Sequence, residues 1–216
     1  IECVMAGRVV PAFTANATPG LRVNQNPRLE RATLTMTAAA LGLWVFVPQW
    51  SIPGAVTLGV AAVLHVMRQW QWHPWVTLKR PILWILHAAY AWIALGLGLL
   101  ALSQLGELIG HRVGVSAAVH ALAVGATGGL IIGMITRTAR GHTGRPLQVS
   151  RAEVVAYFLI MAATLLRVLV PIAWPTPQVF MHALICAAVA WSAGFAIYLW
   201  IYIPWLTQPR LDGKDG

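Results

Sequence analysis

Charge is what this sequence has least of. Only 10% of its 216 residues are charged and 58% are hydrophobic, where a soluble domain carries about 25% charged residues. A chain so poor in charge cannot cover its surface in water, which excludes a soluble globule. Cysteine is nearly as scarce. Cys3 and Cys186 are too few and too far apart for a disulfide framework. Carboxylates are missing from the core of every long apolar run. Intramembrane proton relays and cation carriers usually rest on Asp or Glu, so that chemistry has no residues to run on. The net charge of +9 does not point to nucleic acid, because the basic residues are spread over loops and form no basic domain.

What is there is a series of apolar runs, each near the roughly 20 residues needed to cross a bilayer. The sequence predicts an all-α, polytopic membrane helix bundle with six transmembrane helices, at roughly 32–48, 51–70, 82–105, 113–136, 152–172 and 178–204. Pro48 and Pro53 bracket one tight turn, and Pro175 and Pro177 another. Trp44, Trp50, Trp70, Trp72, Trp75, Trp174, Trp200 and Trp205 fall near predicted span ends, where amphipathic rings prefer to sit. Thirteen basic residues fall on one side of this bundle and only Arg112 on the other. The positive-inside rule then makes both ends cytoplasmic. Residues 1–31 read as a cytoplasmic leading segment, 32–204 as the bundle and 205–216 as a polar cytoplasmic tail. The opening at Ile1 reads as the continuation of something longer, so the chain is expected to be the C-terminal part of a larger membrane protein. The preceding part would then be its partner in the lipid bilayer.

Ionisable residues inside a membrane are costly and mark functional sites by default. His65, His87, His120 and His182 lie within the predicted spans, as does Arg167. Imidazoles without carboxylates suit a metal or haem. With about 1.5 Å of rise per residue, His65 and His87 fall near the inner boundary, on the same side as His142. His120, His182 and Arg167 fall near the outer one. Arg167 could neutralise a haem propionate, since guanidinium is shaped for carboxylate. A lone intramembrane histidine is also a common helix–helix hydrogen-bonding residue, and that alternative stands for each. Cys186, one turn after His182, could complete a copper site, although buried cysteine is more often a small hydrophobe. Gly125, Gly129 and Gly133 recur every four residues with Gly128 alongside. That stripe suits either close helix packing or a flat tetrapyrrole beside His120.

The stretch "ARGHTGRPLQVSR", residues 139–151, interrupts this grease with three arginines, a histidine, two glycines and a proline. A cytoplasmic loop whose arginines fix orientation accounts for the charge. It does not account for Gly141, His142, Gly144 or Pro146.

Three stretches, "AGRVVPAFT" (6–14), "ILHAAYAWIALGLGLLAL" (85–102) and "HALAVGATGGLIIGMITRTARGHTGRPL" (120–147), together resemble the NnrS family of bacterial membrane proteins. Members look longer than this chain, with about a dozen spans by the usual span length. The resemblance implies a haem- and copper-containing inner-membrane protein made in response to nitric oxide, in denitrifying and other bacteria, and associated with tolerance of nitrosative stress. The motif carries over onto Arg8, His87, Tyr90, Trp92, His120, Arg137, His142 and Arg145. His65, Arg167, His182 and Cys186 lie outside it. Within that frame the loop reads as a structured element closing over a cofactor, with Arg137, Arg140 and Arg145 facing haem propionates or lipid headgroups.

The expected cofactor set is therefore His87, His120, His142, Arg137, Arg145 and Arg167, with His65, His87, His120 and His182 as metal ligands. Nitric oxide is the expected small ligand. Two other functions remain open: a transporter of a small solute or metal complex that uses the histidines, and a structural half whose partner half carries the chemistry. Whether the protein turns over a substrate is not decided by the residues.

Overall fold

The computed structural model describes residues 1–106, 110, 113–211 and 213. Arg112 and Lys214, both used in the charge count, lie outside the described residues. Among the described residues seven helices carry the fold: α1 (Glu2–Ala17), α2 (Pro27–Phe46), α3 (Ser51–Trp70), α4 (Pro81–Gln104), α5 (Val115–His142), α6 (Arg151–Ala173) and α7 (Pro177–Leu206). A short 3-10 turn, Pro74–Thr77, joins α3 to α4.

The helix starts follow from local chemistry. Asn26 caps α2 by accepting from the Arg28 backbone, and Pro27 opens the helix where a missing N–H costs nothing. Thr176 caps α7 in the same way ahead of Pro177. Ser150 and Glu153 form a reciprocal capping box at the start of α6.

Helices α3 to α7 are long and apolar enough to cross a membrane, and the chain is a multi-pass membrane protein. The expected spans from 51 onward agree with them closely, except that α5 runs six residues past the expected end at 136. Helix α2 is long enough, but Arg28, Glu30, Arg31 and three threonines dilute its apolarity. The leading segment also differs from expectation. Residues 2–17 are helical despite Pro11, and Ala6, Val10 and Thr14 are buried against the bundle.

Helix α4 is the hub. Two thirds (67%) of its apolar window is buried, against 11% for α7, whose exposed side chains suit lipid. Against α4 lies α5, whose middle, Ala121–Gly128, is wound as a π-helix. Thr127 matches that wider winding by donating to the Leu122 carbonyl five residues back. The glycine stripe is filled by packing. A Cβ on Gly125 would sit 2.5 Å from Trp92 of α4, and one on Gly128 would sit 2.2 Å from Trp191 of α7. Of the two readings of the stripe, close helix packing is the one the neighbouring helices fill.

The stretch 139–151 is ordered by its own residues. Helix α5 continues to His142 and ends in a Schellman motif. Arg145 N–H bonds the Arg140 carbonyl at 2.9 Å and Gly144 N–H bonds Gly141 at 3.3 Å. Gly144 takes the left-handed conformation this requires, with φ of 70°. Pro146 then prevents the helix from resuming. The Arg140 fork grips Glu153 at 2.8 and 2.5 Å and the Pro146 carbonyl at 2.8 Å. Tyr202 of α7 donates to the same carboxylate. Arg145 lies 4.4 Å over the Trp205 ring. One buried ion pair thus ties α5, α6 and α7 together at this end.

Candidate functional site

A buried polar cluster fills the space between α1, α2, α3 and α4. Helix α3 supplies His65 and Arg68, the turn after it supplies Trp72, and α4 supplies His87 and Tyr90. All five are at most 3% exposed. Arg68, one of the basic residues counted on the inner side and near the end of the predicted span 51–70, lies in the last turn of α3, and its guanidinium forms a two-point ion pair with Glu30 of α2, the ε nitrogen at 2.8 Å. Trp72, expected at a membrane interface, stacks beside Arg68 and Tyr90 with no exposed surface.

Helix α1 closes the cluster. The Cys3 carbonyl accepts from Arg68 at 2.8 Å, and the Cys3 thiol lies 3.9 Å from His65 Nε2. Burial pushes that thiol above the usual cysteine range, with nearby Arg68 opposing in part. Gly7 is where the helix meets the guanidinium: a Cβ there would fall 1.7 Å from Arg68 Nη2.

Donor inventory fixes the direction of the hydrogen bonds. Arg68 can only donate, so the Tyr90 oxygen accepts from it at 2.9 Å. The phenol's own hydrogen goes to His65 Nδ1 at 2.6 Å. His65 is then protonated at Nε2, which donates to Thr37 at 3.0 Å. The Thr37 hydroxyl passes its hydrogen to the Thr33 carbonyl at 2.7 Å. The chain Arg68–Tyr90–His65–Thr37–Thr33 is complete, and both nitrogens of His65 are engaged.

His87 differs. The Thr14 hydroxyl of α1 donates to the Val10 carbonyl at 2.9 Å, so at 2.9 Å from His87 Nε2 it accepts. His87 Nδ1 is left as a bare, buried lone pair with no partner, and the Trp72 indole N–H is likewise unpartnered. The two rings are 6.4 Å apart. An orphan acceptor and an orphan donor side by side in one buried cluster are unusual.

The remaining expected residues lie elsewhere. His142 is exposed in the last turn of α5. His182 and Cys186 are exposed on α7. His120 Nδ1 donates to the Ser116 carbonyl at 2.6 Å, which leaves Nε2 free in the arrangement common to metal-bound imidazoles. Arg167 reaches the Ser116 hydroxyl at 3.4 Å and lines a cavity of ≈ 560 Å³ at that end. Arg137 lies 3.8 Å over the Phe13 ring. Facing contacts of α4 and α5 (Leu86 with Gly133, Ala89 with Gly129, Trp92 with Gly125, Gly96 with Leu122) set the two antiparallel. His120 is thus about eleven residues beyond His87, or roughly 16 Å along the axis. Imidazole nitrogens bind metal at about 2 Å, so these two cannot share one ion. Among the described residues, no three His, Cys, Asp or Glu side chains gather as a metal centre.

A family model described as NnrS protein matches residues 1–210. The chain belongs to the NnrS family. No match was found among curated proteins or among solved structures. For a member of NnrS, a membrane protein of the nitric oxide response is the general expectation. In this NnrS chain the motif residues His87, Tyr90 and Trp92 all sit on α4 and are buried. Glu30, Arg68, Trp72, Thr14 and Thr37 belong to the same cluster but carried no sequence signal as a group. Each looked like an ordinary loop charge, interfacial aromatic or helix hydroxyl, and the partners lie up to 73 positions apart.

Proposed function

We propose that this chain forms part of a bacterial inner-membrane protein that binds haem and acts in the response to nitric oxide. The observation that carries this reading is the bare, buried Nδ1 of His87 in a chain that belongs to NnrS. An imidazole lone pair held in an apolar core is an axial ligand type for haem iron, and it is the one imidazole lone pair of the buried cluster not already committed. Thr14 fixes its tautomer and Trp72 walls its ring. Bound there, haem would supply an iron centre able to take up nitric oxide. His120 would serve a separate centre, given its distance from His87. Copper has less support: His182 and Cys186 stand one turn apart on an exposed face, with no third donor beside them among the described residues.

We further place α2 as a sixth span with both ends of the chain cytoplasmic. Its 20 residues match a bilayer crossing, and this keeps Arg28, Arg31, Lys79, Arg80, Arg145 and Arg151 on one side. A transporter has less support, because the cavities at the two ends are separated by the closely packed middle of α4 and α5.

The test is the absorption spectrum of the purified full-length protein. A Soret band that shifts with nitric oxide is expected, and it should be lost or strongly reduced in His87→Ala while surviving in His142→Ala and His73→Ala. A protein without the band, or equal bands in all variants, would remove His87 from the reading.

A further inference from the structure

A cavity of ≈ 740 Å³ opens at the basic end of the bundle, between the end of α1, the start of α4 and the connection from α5 to α6. We propose that it is a binding site for the headgroup of an anionic phospholipid. Three cations line it, Lys79, Arg80 and Arg137, and among the described residues no carboxylate does. None of the three has an ion-pair partner among the described residues. Arg68 and Arg140, the buried cations of the bundle, are each neutralised by a glutamate. The cavity instead gathers three cations, Lys79 and Arg80 exposed and Arg137 half-buried, around one space.

Its other wall is apolar, with Ile82, Leu147 and Val149, and Leu147 is 42% exposed. Cations on one wall and aliphatic side chains on the other match a phosphate with its glycerol and first acyl carbons. A volume within the usual range for a ligand of that size exceeds what a free phosphate needs. The level is also right. Lys79 and Arg80 immediately precede α4, and Arg137 lies five residues before the end of α5, so the cations ring the depth where lipid phosphates lie. The Arg137 guanidinium is held in place by the Phe13 ring, which leaves its planar edge free for an anion.

The experiment is native mass spectrometry of the full-length protein released from nanodiscs of mixed phosphatidylglycerol and phosphatidylcholine. The protein should retain phosphatidylglycerol selectively. Lys79→Gln, Arg80→Gln and Arg137→Gln should each lower that retention about fivefold, and retained phosphatidylcholine should not change. Arg151→Gln, a basic residue at the same end outside the cavity, should have no effect. Melting in detergent separates misfolding from lost binding: each single variant should unfold cooperatively, and added phosphatidylglycerol should raise the Tm of the parent more than that of Arg137→Gln. Equal retention in all variants would overturn the proposal, as would equal loss of both lipids. Displacement by millimolar inorganic phosphate would overturn the lipid in favour of a free anion. Loss of haem from Arg137→Gln with lipid retention intact would assign the cations to a propionate instead.

Discussion

Tyr90 donates its phenolic hydrogen to His65 Nδ1 at 2.6 Å while accepting one from Arg68 at 2.9 Å. One hydroxyl thus sets the tautomer of a buried imidazole and shares the charge of a buried guanidinium. The arrangement works because Glu30 balances that charge from α2. Every polar atom along this chain is satisfied, and the imidazole nitrogen left over in the buried cluster is on His87.

Removing one side of the Arg68–Glu30 pair should be costly. Glu30→Gln leaves Arg68 buried without a counter-ion, and a loss of about 3–5 kcal/mol is expected. The double variant Glu30→Gln with Arg68→Met should lose less than the two single changes combined, because no unpaired charge remains. Unfolding followed by tryptophan fluorescence in mild detergent measures both. Additive losses would mean that the pair does not couple α2 to α3.

Cys3 reports on the seating of α1. Its thiol sits beside His65 and is held above the usual cysteine range by burial, so at neutral pH the reactive thiolate is scarcer than in a free cysteine. Maleimide labelling of Cys3 in a Cys186→Ser background should be slow at pH 7 and quicken as pH rises beyond the ordinary cysteine range. Gly7→Ala places a methyl against Arg68 and should speed labelling severalfold at constant pH. Labelling as fast as that of a free thiol in the parent would mean that α1 does not cover the cluster.

The α5–α6 connection separates two arginines with different roles. Arg140→Lys loses the two-point grip on Glu153 and should destabilise by about 2 kcal/mol or more. Arg145→Lys keeps its charge and loses stacking on Trp205, so a change of about 1 kcal/mol or less is expected. Limited proteolysis between Thr143 and Ser150 should accelerate clearly in Arg140→Lys and little in Arg145→Lys. The reverse order would contradict the clamp.

Topology can be read with reporter fusions. Fusions after Gly20 and Gly144 should report the cytoplasm, and fusions after Gln49, Gly110 and Pro175 the opposite side. An external signal at Gly20 alone would leave α2 lying on the membrane and reduce the bundle to the five apolar helices.

Five helices were legible because apolar length is a local property that survives any tertiary context. Helix α1 was not, since Arg8 and Pro11 break its apolar pattern and its burial comes from contacts far along the chain. The glycine stripe announced close packing but not its partners, and the tryptophans that fill it, Trp92 and Trp191, lie on two other helices. His65 and His87 were visible as intramembrane imidazoles. Their different states were not, because two of the hydroxyls that set them, Thr37 and Thr14, carry no signal beyond their own helices, and the Tyr90 motif does not say which imidazole the phenol meets. The partner of Arg68 was hidden for a related reason: a cation at a helix end looks the same whether it meets water or a glutamate from another helix.

The π-wound stretch Ala121–Gly128 has a consequence for how sequences of this kind can vary in length. Each of its hydrogen bonds closes one residue further on than in an α turn, so it stores slack that the rest of α5 lacks. Deleting one residue there is absorbed by tightening to α winding, and the two halves of the helix keep their relative azimuth. His120 on one side and Arg137 with the Arg140–Glu153 clamp on the other would stay in register, whereas a deletion from an α-wound stretch turns one flank by about 100°. The same deletion in α4, where winding is already tight, would drive the shift through His87, Tyr90 and Trp92 together. A one-residue deletion is therefore tolerable in the π-wound middle of α5 and ruinous in α4.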